Sequence, residues 1–257
     1  MRALLTSESE TVIRTVGVVV PAADEQARIG ACLDALAGTL RHLRRHDTAP
    51  PEVRVVVVLD SCTDGTATVV AEHPAVETVV CGARSVGAAR ALGVRHLLDT
   101  CAAPRGELWL ANTDADSRVP GAWLTGMLTH ARRGAHLVLG TVSPDDQLPA
   151  RQRRAWLARH QLHAGHTHVH GANFGIRADT YLELGGWPPL RSGEDVALAR
   201  HASTAPSLRI TRTASIPVTT SSRLSGRAPS GFAEYLSALG ADVMADAPAM
   251  PGGSAPR

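Results

Sequence analysis

Short runs rich in valine and leucine recur along the chain as far as Gly140, and stretches with helical spacing separate them. Ile29, Leu33 and Leu36, for example, fall on one face of a helix. Continuous apolar strands that alternate with amphipathic helices are typical of βαβ units, so the pattern predicts an α/β fold with a mostly parallel sheet. The predicted strands are Val16–Val20, Val53–Leu59, Val76–Val80, Leu108–Ala111 and His136–Leu139.

Beyond Gly140 the pattern shifts towards helices and loops, with a further strand expected between His166 and Arg177. We expect one domain over residues 16–240, divided near residue 117, after an N-terminal extension of residues 1–15. Residues 241–257 are rich in Ala, Pro and Gly, which predicts a disordered tail. The predicted helices of this part are Arg151–His163, Ala178–Leu184, Glu194–His201 and Phe232–Leu239.

The composition of the chain excludes several classes of partner and of catalytic chemistry. The chain has 257 residues, 44% of them hydrophobic, and a formal net charge of +2, which indicates neither nucleic acid nor an anionic membrane as partner. No apolar run approaches the roughly 20 residues that span a bilayer, and the N-terminus lacks signal-peptide features, so we expect a cytoplasmic protein, monomeric or homodimeric. All 26 basic residues are arginine, which excludes a P-loop lysine or a Schiff base.

Candidate chemistry follows directly after the predicted strands, where ligands bind in folds of this kind. The first strand leads into Pro21, Ala22, Ala23, Asp24 and Glu25, a turn without the glycines that a dinucleotide-binding motif requires. The two carboxylates either cap the following helix or contact a ligand at this edge of the sheet.

The second strand ends at Asp60, whose carboxylate can accept a hydrogen bond from N3 of uracil or N1 of guanine. Adenine has no ring N–H on that edge, so a base contact here would disfavour it. The helix that opens at Ser85 begins with small residues, and a helix N-terminus attracts phosphate. Arg84 and Arg90 are candidates to bind a diphosphate, although an arginine on a helix is often simply solvated.

Two carboxylates, Asp114 and Asp116, follow the fourth strand one residue apart. Such a like-charge pair is unfavourable unless a cation lies between it and a substrate. Mg²⁺ and Mn²⁺ suit this arrangement, because they accept one or two protein carboxylates together with phosphate oxygens and water. An Asx-turn at the start of the next helix is the alternative.

Glu194 and Asp195 begin a predicted helix late in the chain. Either they cap that helix, or one of them supplies a general base within reach of an acceptor hydroxyl. A histidine-rich segment precedes them, but its spacing matches no zinc signature. For its members we expect exposure, or a place for His168 or His170 beside an acceptor pocket. The segment contains His160, His163, His166, His168 and His170.

In this order and spacing, the segments resemble the family 2 glycosyltransferases of GT-A fold, from Val16 to about Arg200. The resemblance implies a Rossmann-like, mostly parallel central sheet flanked by helices, with a nucleotide-binding half (16–117) and an acceptor half (118–240). The segments that carry it are Val20–Glu25, Asp60–Thr66, Gly87–Arg90, Thr113–Asp116, Gly171–Arg177, Gly185–Trp187 and Gly193–Asp195.

On the donor side, the resemblance implies that a UDP- or GDP-sugar binds with a divalent metal, Mn²⁺ or Mg²⁺. Asp116 is the implied metal ligand of the D-x-D pair, with Asp114 beside it. The remaining residues implied to bind the nucleotide are Pro21, Ala22, Asp24, Glu25, Asp60, Arg84, Arg90 and Asp114.

On the acceptor side, the resemblance implies that Asp195 is the catalytic base of an inverting hexosyl transfer to an unidentified hydroxyl. Glu194 would orient this base or the acceptor. The residues implied to line the acceptor and sugar pocket are Gly171, Ala172, Asn173 and Trp187.

The chain departs from the family pattern at two positions. Leu59 stands where the commoner pattern has an additional Asp, so Asp60 is alone at the base. Many members also carry a late His that binds the metal, whereas Val218–Arg223 contains none. We therefore expect Asp116, the diphosphate and water to hold the metal, with Arg223 supplying positive charge.

Two alternatives from other functional classes remain at this point. A nucleotidyltransferase shares the nucleotide-binding half-fold but usually needs a Gly-rich, basic first loop, which this chain lacks. A degenerate family member would bind the nucleotide-sugar without catalysis. The retention of Asp114, Asp116 and Asp195 argues against that interpretation.

Overall fold

The structure is a computed structural model that describes residues 11–160, 162–226 and 231–245, with 240–245 as backbone only. Within this part of the chain the strands form one eight-stranded sheet in the order β3-β2-β1-β4-β7-β6-β8-β5, by the following numbering. The strands are β1 (Thr15–Ala22), β2 (Glu52–Asp60), β3 (Val76–Cys81), β4 (Leu108–Asn112), β5 (Ser117–Arg118), β6 (Leu137–Pro144), β7 (Phe174–Arg177) and β8 (Ile210–Thr220). The helices are α1 (Ile29–His46), α2 (Thr66–Ala71), α3 (Val86–Thr100), α4 (Trp123–Arg132), α5 (Ala150–Arg159), α6 (Ala178–Glu183), α7 (Glu194–Ser203) and α8 (Phe232–Ala245).

The first half of the sheet is parallel, as the sequence predicts, because β1 pairs in parallel with both β2 and β4, and β2 with β3. Successive side chains of β1 enter opposite cores: Val18 packs in the cluster under α1 and α4, and Val19 in the one under α3. A strand that is buried on both faces must be apolar throughout, which explains the uninterrupted valine runs. Every parallel strand of this half therefore delivers its carboxyl end to the same edge.

The second half of the sheet is mixed. β7 runs antiparallel to both β4 and β6, while β8 runs parallel to β6 and antiparallel to the short β5. The sequence prediction missed β8, because its Ile210–Thr220 segment is interrupted by polar residues and contains Pro217. The fold class is nevertheless the one predicted: an α/β protein with a mostly parallel central sheet that helices flank.

Helix boundaries differ from the predicted ones mainly in the second half. α5 ends at Arg159 instead of His163, and α8 continues to Ala245, beyond the predicted end at Leu239 and into the segment predicted as a tail. Residues 1–10 of the predicted extension and 246–257 of the predicted tail lie outside the described residues. None of the helices in the described part of the chain is long and apolar enough to cross a membrane.

Candidate functional site

A cavity of about 910 Å³ opens at the carboxyl edge of the parallel strands. Its wall combines the loops after β1, β2 and β4 with residues of the second half, including those at the start of α7 and on α8. This volume is in the range of sites that enclose a small-molecule ligand. The structure thus brings most of the sequence-predicted site residues to one place. Those that line the cavity are Pro21, Ala22, Asp24, Glu25, Asp60, Arg84, Arg90, Asp114, Asp116, Gly171, Ala172, Glu194 and Asp195.

Asp24 fastens the loop after β1 to the loop after β2. Its Oδ1 accepts hydrogen bonds from the backbone N–H groups of Thr63, at 2.6 Å, and Asp64, at 3.1 Å. These donors lower the pKa of the Asp24 carboxyl. Asp24 has a φ of 49°, in the left-handed region that short polar side chains tolerate. The N-cap residue of α1 is Arg28, which makes no side-chain cap, so Asp24 does not hold the N-cap position that the capping alternative expected.

Asp60 is buried, with 5% of its surface exposed, and fixes the turn that precedes α3. Its two carboxylate oxygens accept the backbone N–H groups of Arg84, at 2.8 Å, and Ser85, at 2.9 Å. Each carboxylate oxygen has more than one lone pair, so Asp60 retains capacity to accept a base N–H at the cavity. The position of Asp60 at a strand end identified it in the sequence, but nothing in the sequence indicated that it also holds the turn before α3.

The N-terminus of α3 is already occupied by the protein itself. The Ser85 hydroxyl caps the N–H of Ala88, and the N–H of Gly87 donates to the Leu190 carbonyl at 3.0 Å. A Cβ on Gly87 would clash with the Pro188 carbonyl oxygen, so only glycine permits this close approach. These two amides already have protein partners, so they do not supply the phosphate contact that the sequence predicted at this helix terminus. The exposed Arg84 remains at the cavity.

Arg90 pairs with carboxylates of the protein and does not have the predicted role of a diphosphate contact. Its residue is 2% exposed, and its guanidinium bridges Asp114, at 2.5 Å, and Glu194, which is 3% exposed. The guanidinium carbon also lies 5.4 Å from the centre of the Trp187 ring. Because both terminal nitrogens are engaged by carboxylates, we assign Arg90 to positioning these acidic groups.

Asp116 lies at the cavity with a side chain that is 13% exposed. Burial, and secondarily the negative charge of Asp114, raise the pKa of Asp116 to about 6. Arg223, from the segment after β8, counters this by placing Nη2 3.1 Å from Oδ2 of Asp116. The same guanidinium binds both carboxylate oxygens of Glu25 through Nη1, at 2.8 and 2.9 Å.

Asp195 is partly exposed at the cavity in the first turn of α7. Its Oδ2 accepts the N–H of Gly171 at 2.6 Å, which joins α7 to the turn before β7. A Cβ on Gly171 would meet the guanidinium of Arg90, so a larger residue here would require that buried side chain to shift. The two residues at the start of α7 thus differ: Glu194 is buried against Arg90, whereas the Asp195 carboxylate faces the cavity.

Two residues predicted to line the acceptor pocket do not do so in the structure. Asn173 is fully buried, where its amide donates to the carbonyls of Thr141 and Ile216 and accepts from the Trp123 indole. Trp187 packs against Phe174, with ring centres 4.8 Å apart, beneath Arg90. Both predictions are corrected: these side chains support the wall from behind, because tight packing required them in the core.

The histidine-rich segment forms a stack of rings. His160 lies 4.5 Å from Trp156 and 4.9 Å from His168, between ring centres, and His168 is 5.9 Å from His170. His160 and His170, not His168, line the cavity, together with Phe232 and Tyr235 of α8. Burial lowers the pKa of His170 to about 3, so its ring is neutral at physiological pH. Neutral rings rather than charges therefore form this wall.

The comparisons with known proteins agree with this fold and show the family. The family model described as "Glycosyl transferase family 2" matches residues 17–184, which is more than half of the chain. The chain belongs to glycosyl transferase family 2. No curated protein matches this family 2 glycosyltransferase.

Solved structures resemble the glycosyltransferase in fold at low sequence identity. S. aureus TarS 1-349 in complex with UDP matches with a TM-score of 0.56 and 16% identity, over 81% of this chain and 61% of that one. The mannosyltransferase PcManGT from Pyrobaculum calidifontis, in complex with GDP-Man and Mn²⁺, matches with a TM-score of 0.55 and 19% identity. The match covers 95% of this chain and 70% of that one. Glucosyl-3-phosphoglycerate synthase from Mycobacterium tuberculosis, in complex with Mn²⁺, UDP and glucosyl-3-phosphoglycerate, matches with a TM-score of 0.50 and 17% identity. The match covers 90% of this chain and 78% of that one. The glycosyltransferase spans about 61% of the length of the TarS chain.

The acidic residues at the cavity of the family 2 glycosyltransferase are of the ligand type that a divalent cation such as Mg²⁺ or Mn²⁺ takes. Among the described residues, no three His, Cys, Asp or Glu side chains converge as a complete metal site. Asp116 nevertheless presents a carboxylate at the cavity, and Asp114 and Glu25 lie along the same wall. One or two hard oxygen ligands are what Mg²⁺ or Mn²⁺ needs when phosphate oxygens and water complete its coordination.

Proposed function

We propose that this chain transfers a sugar from a UDP- or GDP-sugar to an acceptor hydroxyl, with inversion and with the help of a divalent metal. The observation that carries the proposal is the shared cavity, which brings Asp60 and Asp116 of the first half together with Asp195 of the second. The solved relatives in complex with UDP, or with GDP-Man and Mn²⁺, support this donor class.

The donor side supplies recognition and charge. Asp60 accepts a ring N–H of uracil or guanine while Pro21 and Ala22 form the adjacent wall. Arg84 and Arg223 line the cavity as cations that can pair with phosphate oxygens. Arg90 holds Asp114 in place from behind. A divalent metal bound at Asp116 would act as a Lewis acid that offsets charge on the departing diphosphate.

On the acceptor side, Asp195 acts as the general base. Its carboxylate, oriented by the N–H of Gly171, takes the proton of the acceptor hydroxyl as the hydroxyl oxygen bonds to the anomeric carbon. The bond between that carbon and the nucleoside diphosphate breaks in the same displacement, through an oxocarbenium-like transition state. A single displacement inverts the configuration at the anomeric carbon.

Nucleotide binding provides the direct test. We expect UDP or GDP to raise the melting temperature in the presence of Mn²⁺ and ADP to raise it less, because a ligand of the native state stabilises it. Asp116→Ala should abolish the part of this shift that EDTA removes, and Asp114→Ala should reduce it less. The exposed Asp99 outside the cavity offers a matched control, Asp99→Ala. If ADP bound most tightly, or both cavity variants behaved as wild type, the proposal would be wrong.

A further inference from the structure

Arg223 lies between two carboxylates from different loops of the donor side. Its Nη1 contacts both oxygens of Glu25, at 2.8 and 2.9 Å, and its Nη2 lies 3.1 Å from Oδ2 of Asp116. Glu25 belongs to the loop after β1 and Asp116 to the loop after β4. The guanidinium thus joins two parts of the donor wall that would otherwise repel each other.

This position of Arg223 is built into the fold. The segment that carries it is held on the loop of Asp116, because the N–H of Ser221 donates to the Asp116 carbonyl at 3.1 Å. The hydroxyls of Ser117 and Thr220 also join at 2.9 Å, and the N–H of Arg223 donates to the Ser221 hydroxyl at 3.3 Å. The backbone is therefore anchored beside Asp116, while the long Arg223 side chain is 24% exposed at the cavity.

A guanidinium at this place and a metal on Asp116 would compete for the same negative charge. The guanidinium is a weakly hydrated cation with several donors, and phosphate oxygens suit it as well as carboxylates do. A loaded donor would bring two such phosphates into the cavity that Arg223 already lines. Arg223 therefore has a second set of partners available when it leaves Asp116.

We propose that Arg223 is an exchangeable countercharge, an inference that rests on the proposed function. Without nucleotide, it neutralises Asp116 and Glu25. When the metal and the nucleoside diphosphate enter, it gives up Asp116 to the metal and pairs with the diphosphate. Metal alone consequently binds weakly, and metal and nucleotide strengthen each other's binding by the same factor.

The test measures Mn²⁺ binding by calorimetry with and without UDP or GDP, in wild type and Arg223→Gln. Glutamine keeps a hydrogen-bond donor but not the charge. We expect Arg223→Gln to bind Mn²⁺ alone about tenfold more tightly, and to bind the nucleotide at saturating Mn²⁺ about tenfold more weakly, since each change gains or loses one charge-assisted contact. Arg191→Gln is the matched control, because the exposed Arg191 lines the same cavity and has the same charge. It should leave the affinity for Mn²⁺ alone within about twofold, as expected of an exposed charge.

The opposite signs of the two changes distinguish this role from a structural clamp. If Arg223→Gln bound Mn²⁺ alone no more tightly than wild type, or kept wild-type nucleotide affinity, the exchange would be refuted while nucleotide binding itself stood. If wild type bound neither nucleotide with Mn²⁺, the proposed function would fail and the exchange with it. Should Arg223→Gln not fold, Arg223→Lys keeps the charge but cannot bridge two carboxylates. It should shift both affinities in the same directions by a smaller factor, and unchanged affinities would again overturn the exchange.

Discussion

The two sides of the cavity are built in different ways. On the donor side, carboxylates hold backbone amides: Asp24 binds the loop of Thr63, and Asp60 binds the turn at Arg84 and Ser85. On the side that we assign to the acceptor under the proposed function, stacked and edge-on rings from α5, the histidine-rich segment and α8 form the wall. Hydrogen bonds to the main chain fix loop geometry, whereas ring packing fixes shape but depends on which side chains are present.

Under the proposed function, this difference would let the acceptor pocket change while the donor site stays the same. Under the proposed function, the nucleoside diphosphate of the donor enters a wall that hydrogen bonds to the main chain already organise before binding. The acceptor wall rests instead on a small cluster in which Leu148 and Trp156 pack against Leu236 and Leu239. Substituting those residues would reshape the pocket without disturbing the loops that carry the donor chemistry.

Asp195 is the proposed general base, and its substitution should have the largest effect on activity. Asp195→Asn keeps the shape and can still accept the N–H of Gly171, but it cannot take a proton. We expect turnover in donor hydrolysis to fall by about 10² to 10⁴, the usual range for a lost general base, while donor affinity changes only a few-fold. The readout is nucleoside diphosphate release, which requires no identified acceptor, and Asp99→Asn is the control. Wild-type hydrolysis by Asp195→Asn would remove it from the mechanism.

Arg90 tests whether the junction between the two sides depends on one buried cation. Arg90→Met leaves Glu194, which is 3% exposed, without its positive partner. An uncompensated buried charge destabilises the native state by about 3–5 kcal/mol, so the free energy of unfolding should fall by that amount. Urea denaturation measures this change. The double variant Arg90→Met/Glu194→Gln should recover part of the loss. Additive losses in the double variant would show that the pair contributes no coupling.

Much of the donor side could be predicted from sequence, because strand ends in a parallel sheet determine where side chains meet. Asp60, Asp114 and Asp116 follow their strands directly, and the structure brings all three to one cavity. The sequence could not show which polar groups the protein uses for itself. Arg90 and the amides at the N-terminus of α3 both looked available to a diphosphate, yet Glu194 and Leu190 engage them.

The acceptor side was less predictable for a physical reason. Asn173 and Trp187 stand in segments that resemble the family pattern, but their side chains point into the core. The strand β8, which brings Arg223 to Asp116, has no clear apolar run, and the pairing of Arg223 with Glu25 spans 198 positions of sequence. Such contacts depend on long-range pairing of strands, which local periodicity does not encode.

His170 gives the smallest and most specific test of the comparison, because it asks whether the acceptor wall is uncharged. Burial is the largest cause that lowers the pKa of His170 to about 3, and the neighbouring His168 adds to it. In the unfolded chain this ring takes up a proton near pH 6.5, whereas in the folded chain it stays neutral down to about pH 3. The native state therefore loses stability as the pH falls through this window.

His170→Phe keeps a ring and removes the titration, so its unfolding free energy should fall less steeply with decreasing pH, by at most about 1.4 kcal/mol per pH unit. Urea denaturation at several pH values between 7 and 4 measures the slope, with the exposed His163→Phe as control. Parallel curves for wild type and His170→Phe would mean that His170 becomes protonated in the folded state, and the acceptor wall would then carry a positive charge.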